Sequence, residues 1–206
     1  MKQGVRRGIP VIISGPSGSG KGTVVADILT RNHQYALSVS ATTRAPRPGE
    51  VNGKHYYFIS REEFAHRIET GDMLEHACYV GNEYGTPRSE VEQRLRDGIH
   101  VILEIDVQGA VQIKEKFPEA LLIFLMPPDE KTLEQRLRGR GTNTEADIAR
   151  RLEQARRELE YFDRYDYLVI NREGSVQSSA DTIMRIVESE QCSVRRNTDF
   201  AKHYFS

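Results

Sequence analysis

Short apolar runs alternate with amphipathic stretches along most of the chain. Residues 9–14 form a β-branched run between Gly8 and Gly15, and they predict a buried strand. Residues 100–105, 121–126 and 167–170 predict three more. Between the strands, apolar positions recur every three to four residues. That period predicts helices over 23–31, 107–116, 129–138, 144–163 and about 175–190. The clearest stripe lies in 144–163, where Ile148, Leu152, Ala155, Leu159 and Phe162 fall on one side. Arg150, Arg151, Arg156 and Arg157 flank it. Strands alternating with helices predict βαβ units and a parallel sheet covered on both faces.

The segment from about 41 to 96 breaks this rhythm. It opens with the turn-rich basic stretch Thr42-Thr-Arg-Ala-Pro-Arg-Pro-Gly49. Residues 54–59 and 73–80 then predict strands, with a turn at Gly81-Asn82. Ser60-Arg-Glu-Glu63 matches a capping box and predicts a short helix through 70. Thr86-Pro87 suits the cap and first turn of another helix. The expected fold class is α/β in a single domain of 206 residues. Its core spans 1–40 and 97–206, and an α+β subdomain is inserted at about 41–96. The tail after Glu190 carries no pattern.

Composition narrows the function. Lys and Arg total 29 and Asp and Glu total 30, a formal net charge of −1. Such balance argues against nucleic acid or an anionic membrane as the main partner. No apolar run is long enough to cross a bilayer. The basic N-terminus is followed by too short an apolar core for a signal peptide. Cys78 and Cys192 form no C-x-x-C pair, so a reducing cytoplasm is the expected location. Cys78 reads as a packed strand residue. The six histidines are scattered without metal-ligand spacing.

The strongest chemical signal is Gly15-Pro-Ser-Gly-Ser-Gly20-Lys21, a G-x-x-x-x-G-K phosphate loop. By composition alone a chain this long holds about 0.07 such matches. The glycines let successive N–H groups turn inward, the following helix aims its free N–H groups at the same point, and Lys21 adds a full charge. Gly15, Pro16, Ser17, Gly18, Ser19, Gly20, Lys21, Gly22 and Thr23 are therefore candidates to hold a nucleoside triphosphate. Gly22 stands where a metal-binding Ser or Thr is usual, and Thr23 follows. No direct metal ligand is assigned on that account. No Asn-Lys-x-Asp guanine motif of a GTPase is present.

The segment Ser38 to Tyr56 resembles the hallmark segment of guanylate kinases. Leu74-Glu-His-Ala77, Gly81 to Thr86, Leu103 to Gly109 and Arg136 to Thr142 resemble further blocks of that family, in the same order. The likeness spans Gly8 to about Glu190. It implies transfer of a phosphoryl group from ATP, with Mg²⁺, to GMP or dGMP. It also implies that the inserted subdomain binds GMP and that about 136–151 is a short helical lid. Ser40, Glu75, Thr86 and Asp106 would surround guanine. Arg44, Arg47, Tyr56 and Tyr84 would hold the GMP phosphate. Lys21, Arg136, Arg140 and Arg151, with Arg44, would serve the transferred group, and Asn171 would lie near adenine. Glu104 is a candidate to assist the metal through water. Two alternatives stay open at this point: a phospho-ligand-binding module without catalysis, and a monophosphate kinase for another base.

Overall fold

The computed structural model describes residues 6–139, 141 and 143–204. In chain order the elements are β1 (Pro10–Ser14), α1 (Lys21–Arg31), β2 (Tyr35–Leu37), β3 (Ala41–Thr42), β4 (Tyr57–Phe58), α2 (Arg61–Glu69), β5 (Met73–Tyr79), β6 (Asn82–Pro87), α3 (Arg88–Arg96), β7 (His100–Glu104), α4 (Val107–Lys116), β8 (Leu121–Met126), α5 (Glu130–Arg138), α6 (Glu145–Leu159), β9 (Tyr167–Ile170), α7 (Val176–Gln191) and α8 (Phe200–His203). Five strands form a parallel sheet in the order β2-β7-β1-β8-β9. Four others form a mixed sheet, β4-β3-β6-β5.

Alternation along β1 sets the layers. Val11 and Ile13 face one side and pack with Val24, Val25 and Ile28 of α1 and Ala180, Ile183 and Val187 of α7. Ile12 faces the other side, with Val91 and Leu95 of α3 and Ala110 and Ile113 of α4. With both faces covered, the strands can be continuously apolar, which is why they are legible as short buried runs. The mixed sheet rests on a far smaller cluster, Ala41, Phe64 and Met73, with Tyr57 and Ile59 at its edge. α5 and α6 form a third unit through Leu133, Leu137, Ile148 and Ala155. Among the described residues no helix is long and apolar enough to cross a membrane.

Several expectations change. The strand over 54–59 shrinks to β4, because Lys54 and His55 both donate their N–H to Val51 O and close a turn there. Thr86 lies within β6 instead of capping a helix, and Pro87, the last residue of β6, takes the cap position of α3. Ser60 caps α2 by accepting from the Glu63 N–H, but the Glu63 carboxylate accepts from Arg67 and does not close the box. Cys78 lies in β5 as expected, yet it is exposed. α6 stops at Leu159, and a 3₁₀ turn over Phe162–Arg164 follows. Its stripe is buried at Ile148 and Ala155, but Leu159 and Phe162 are each 43% exposed. The last inward position of α6 is Glu158.

Candidate active site

β1 ends at Ser14 and delivers the chain into the phosphate loop at the carboxyl edge of the parallel sheet. Open α/β sheets place ligands at that edge. Gly20 caps α1 in a left-handed conformation (φ 94°), and a Cβ there would stand 2.4 Å from Asn171 Nδ2. Only glycine satisfies both demands. The first turn of α1 holds no acidic residue and no side chain caps it, so its positive end is suited to an anion. Lys21 Nζ donates to the carbonyls of Gly15 and Pro16 in this state.

Three predicted residues reach the loop from distant elements. Arg136 donates to Ser19 O (3.2 Å) and Asn171 O (2.8 Å). Arg151 donates to the Ser17 hydroxyl at 2.8 Å. Asn171 is 3% exposed; its Nδ2 donates to Ser19 O and its Oδ1 accepts from Ser179. Its amide is thus committed to bracing the loop. Arg140 lies outside the described residues.

A cavity of about 640 Å³ opens over this loop, lined among others by Lys21, Thr23, Glu104, Asp106 and Glu158. A second cavity of about 220 Å³ lies between the parallel and mixed sheets. It gathers Ser40, Tyr56, Glu75, Tyr84 and Asp106, five of the residues predicted from separated blocks. Asp106 and Ile105 line both cavities. Asp106 owes its place to capping α4, where it accepts from the Gly109 N–H at 2.8 Å.

Glu75 is fixed from behind. Thr86, fully buried in β6, donates its hydroxyl to Glu75 Oε1 at 2.8 Å. Burial pushes the Glu75 carboxyl above its ordinary pKa; the Thr86 hydroxyl opposes this, and Asp106 adds to it. β5 and β6 meet closely enough that a Cβ on Gly85 would stand 2.7 Å from Glu75 O. Hence glycine stands beside Glu75.

The basic loop is organised by a residue the sequence did not single out. Glu50 takes both Arg44 guanidinium nitrogens (3.0 and 2.9 Å) and the Arg47 N–H (2.7 Å). The Arg44 guanidinium and then the Arg47 N–H hold the Glu50 carboxyl down at about 2. Arg44 also lies 5.5 Å from the Tyr56 ring centre, and Tyr56 meets Tyr84 edge-on at 6.0 Å. The Arg47 side chain stays exposed. Glu50 stands three residues after Arg47, so a turn connecting them was the available signal.

A glycine-rich strand-to-helix loop, a lysine at the helix start and two adjoining cavities define a P-loop nucleotide-binding protein. A family model described as "Guanylate kinase" matches residues 7–190. The guanylate kinase of Streptococcus thermophilus (strain CNRZ 1066) is 52% identical over 191 residues, covering 92% of this chain and 90% of that protein. That of Desulfitobacterium hafniense (strain Y51) is 49% identical, covering 92% and 94%. The crystal structure of guanylate kinase from Anaplasma phagocytophilum superposes with a TM-score of 0.67 at 34% identity, covering 93% of this chain and 90% of that one. The chain belongs to the guanylate kinase family.

Proposed function

We propose that the protein transfers the γ-phosphoryl group of ATP to GMP, giving ADP and GDP. The observation that carries this reading is Asp106, a single side chain lining both the phosphate-loop cavity and the cavity of Glu75. Two nucleotides seated there would meet end to end across it. Guanine offers N–H donors at N1 and N2, which Glu75 and Asp106 can accept, while the Ser40 hydroxyl can donate to O6. Thr86 would act through Glu75, since its hydroxyl is already committed there. Adenine presents the opposite pattern at its six-position and would leave these groups unpaired, a strong basis for rejection.

A phosphate monoester is largely ionised at neutral pH, with a second pKa of about 6, so the GMP phosphate needs no general base. The obstacle is repulsion between two anions. Cations that neutralise the transferred group then do most of the catalysis. Lys21 would leave the Gly15 and Pro16 carbonyls for the phosphates, and Arg136 and Arg151 already stand at the loop. Arg44, Arg47, Tyr56 and Tyr84 would hold the acceptor phosphate. Arg140 would join from the lid at about 136–151, whose closure would exclude water.

The donor set fits magnesium. Glu104, Asp106 and Thr23 offer oxygen atoms beside Lys21, as a hard cation requires. The Glu104 carboxylate oxygens lie 3.7 and 3.8 Å from where a Gly22 Cβ would stand, facing the position of the missing hydroxyl. Among the described residues no cluster of three or more His, Cys, Asp or Glu could ligate a metal directly. When bound, magnesium would supply charge neutralisation on the β- and γ-phosphate oxygens.

A coupled assay with ATP against AMP, CMP, UMP, GMP and dGMP tests the reading. Turnover of GMP well above the other bases is expected. Equal turnover of AMP would remove the guanine assignment, and no turnover with any acceptor would leave a binding module.

A further inference from the structure

α6 turns a polar edge toward the phosphate loop. Arg151 and Glu158 stand two helical turns apart, on the same side, and Gln154 lies between them. Arg151 is bonded to Ser17, and Gln154 Nε2 donates to Glu158 Oε1 at 3.3 Å. Glu158 is only 9% exposed and lines the phosphate-loop cavity. Its second oxygen, Oε2, is buried and meets no hydrogen-bond donor among the described residues. A buried carboxylate oxygen left open is costly, and such sites call for a partner supplied from outside the fold.

The surroundings say what that partner is. Glu104 and Asp106 line the same cavity, so three carboxylates look into a space built to receive phosphates. Among the described residues the cations at the loop are already engaged: Lys21 with the loop carbonyls, Arg136 with Ser19 O and Asn171 O, and Arg151 with Ser17. Carboxylates so placed would repel bare ATP. They become favourable only if a hydrated cation stands between them and the phosphates. Gly22 removes the hydroxyl that often ligates that cation directly, which leaves room for a water in its place.

We propose that Glu158 is a positioning residue for the metal-bound form of ATP: its carboxylate, on turning Oε2 into the cavity, accepts a hydrogen bond from a water of the magnesium ion carried on the phosphates, so α6 senses whether the nucleotide arrives with its metal. The proposal rests on the ATP reading above. It assigns to α6, beyond the arginine, a carboxylate that selects for the magnesium complex.

Calorimetric binding of ATP, with magnesium and with excess chelator, separates this from a structural role. In the wild type magnesium strengthens ATP binding. Glu158→Gln keeps the shape and removes the charge. It is expected to bind metal-free ATP at least as tightly as the wild type and to lose about 10- to 100-fold in affinity for the magnesium complex, the usual cost of an outer ligand. Glu158→Asp, which keeps the charge, should recover part of the loss. A Gln variant whose two affinities move together, or do not move, overturns the proposal while leaving phosphotransfer intact. A wild type that binds no ATP in either condition overturns both readings. If the Gln variant fails to melt cooperatively, a crystal structure of the wild type with magnesium and a non-hydrolysable ATP analogue decides. Glu158 bonded to a metal-bound water supports the proposal, and Glu158 turned away from the metal ends it.

Discussion

The two cavities are built by different means. The phosphate-loop cavity is made largely of backbone: a left-handed glycine, the positive end of α1, and bracing by Arg136 and Asn171 onto Ser19. It stands on the large core shared by β1, α1 and α7. The second cavity is made of side chains: Glu75, Tyr56 and Tyr84 come from the mixed sheet and its approach, which have a far smaller core, and Asp106 comes from the start of α4 on the parallel sheet. Backbone amides hold any polyphosphate and read no base. A carboxylate can read a base, and Glu75, desolvated by burial, carries an electrostatic penalty while the cavity is empty. On the proposed reading, holding and choosing would be separated between the two cavities.

Removing the loop's charge should have the largest effect. Lys21→Ala is expected to lower kcat/KM by about 10³-fold or more, as loss of one preorganised charge donor at a transition state does. Its melting temperature should stay near the wild type, because α1 is anchored by Val24, Val25 and Ile28. Measurable wild-type turnover in this variant would deny the loop its part in catalysis.

Glu75→Gln sharpens the distinction. The KM for GMP should rise by about 10- to 100-fold, the worth of a hydrogen bond to a charged group, while the KM for ATP stays put. A rise in both constants would mean the cavities are not separate functions. The pH profile adds a second readout. Burial raises the Glu75 pKa, so kcat/KM for GMP should carry, beside the limb set by the GMP phosphate itself, an acid ionisation above the ordinary carboxyl value of 4.5 that the Gln variant lacks. The stability sign is opposite. A carboxyl with a raised folded-state pKa gives its stabilisation at low pH and loses it as pH rises through that value. At neutral pH the Gln variant should therefore melt slightly above the wild type.

The same division explains what could be read from the chain. The loop was legible because its chemistry depends on glycine and lysine spacing within seven residues, Gly15 to Lys21. The parallel strands were legible because both faces are covered. β3 was not, being two residues long, nor β6, which contains Gly85 and Pro87 and is a strand only because β5 and β3 pair with it. The site residues of the second cavity came from the likeness to a family, since no local pattern marks Glu75. The helical period placed Leu159 inward, but the chain leaves α6 there for a 3₁₀ turn, and Glu158 takes the buried position. Periodicity treats a helix end like its middle, and a carboxylate facing a cavity looks like a solvated one.

The smallest expected effect lies at Glu50. The carboxylate and Arg44 are joined by two bonds, but the half-buried pair sits in a loop that water still reaches, not in a core, and such ion pairs contribute little to stability. Its value would be orientation: the guanidinium is held over Tyr56, which lines the second cavity, before any phosphate arrives. Yet Glu50 is also an anion beside a site for a dianion, and the two contributions oppose each other. Glu50→Gln should therefore leave the melting temperature unchanged and raise the KM for GMP by only about threefold, a preorganisation effect partly offset by relieved repulsion. Steady-state kinetics at low and moderate salt would check it, since the repulsive part fades with ionic strength and the orienting part does not. The deficit should thus grow with salt. A fall in KM would make Glu50 a competitor that the phosphate must displace. A rise as large as that of Glu75→Gln would show that the rim of the second cavity, and not its floor, governs the choice of acceptor.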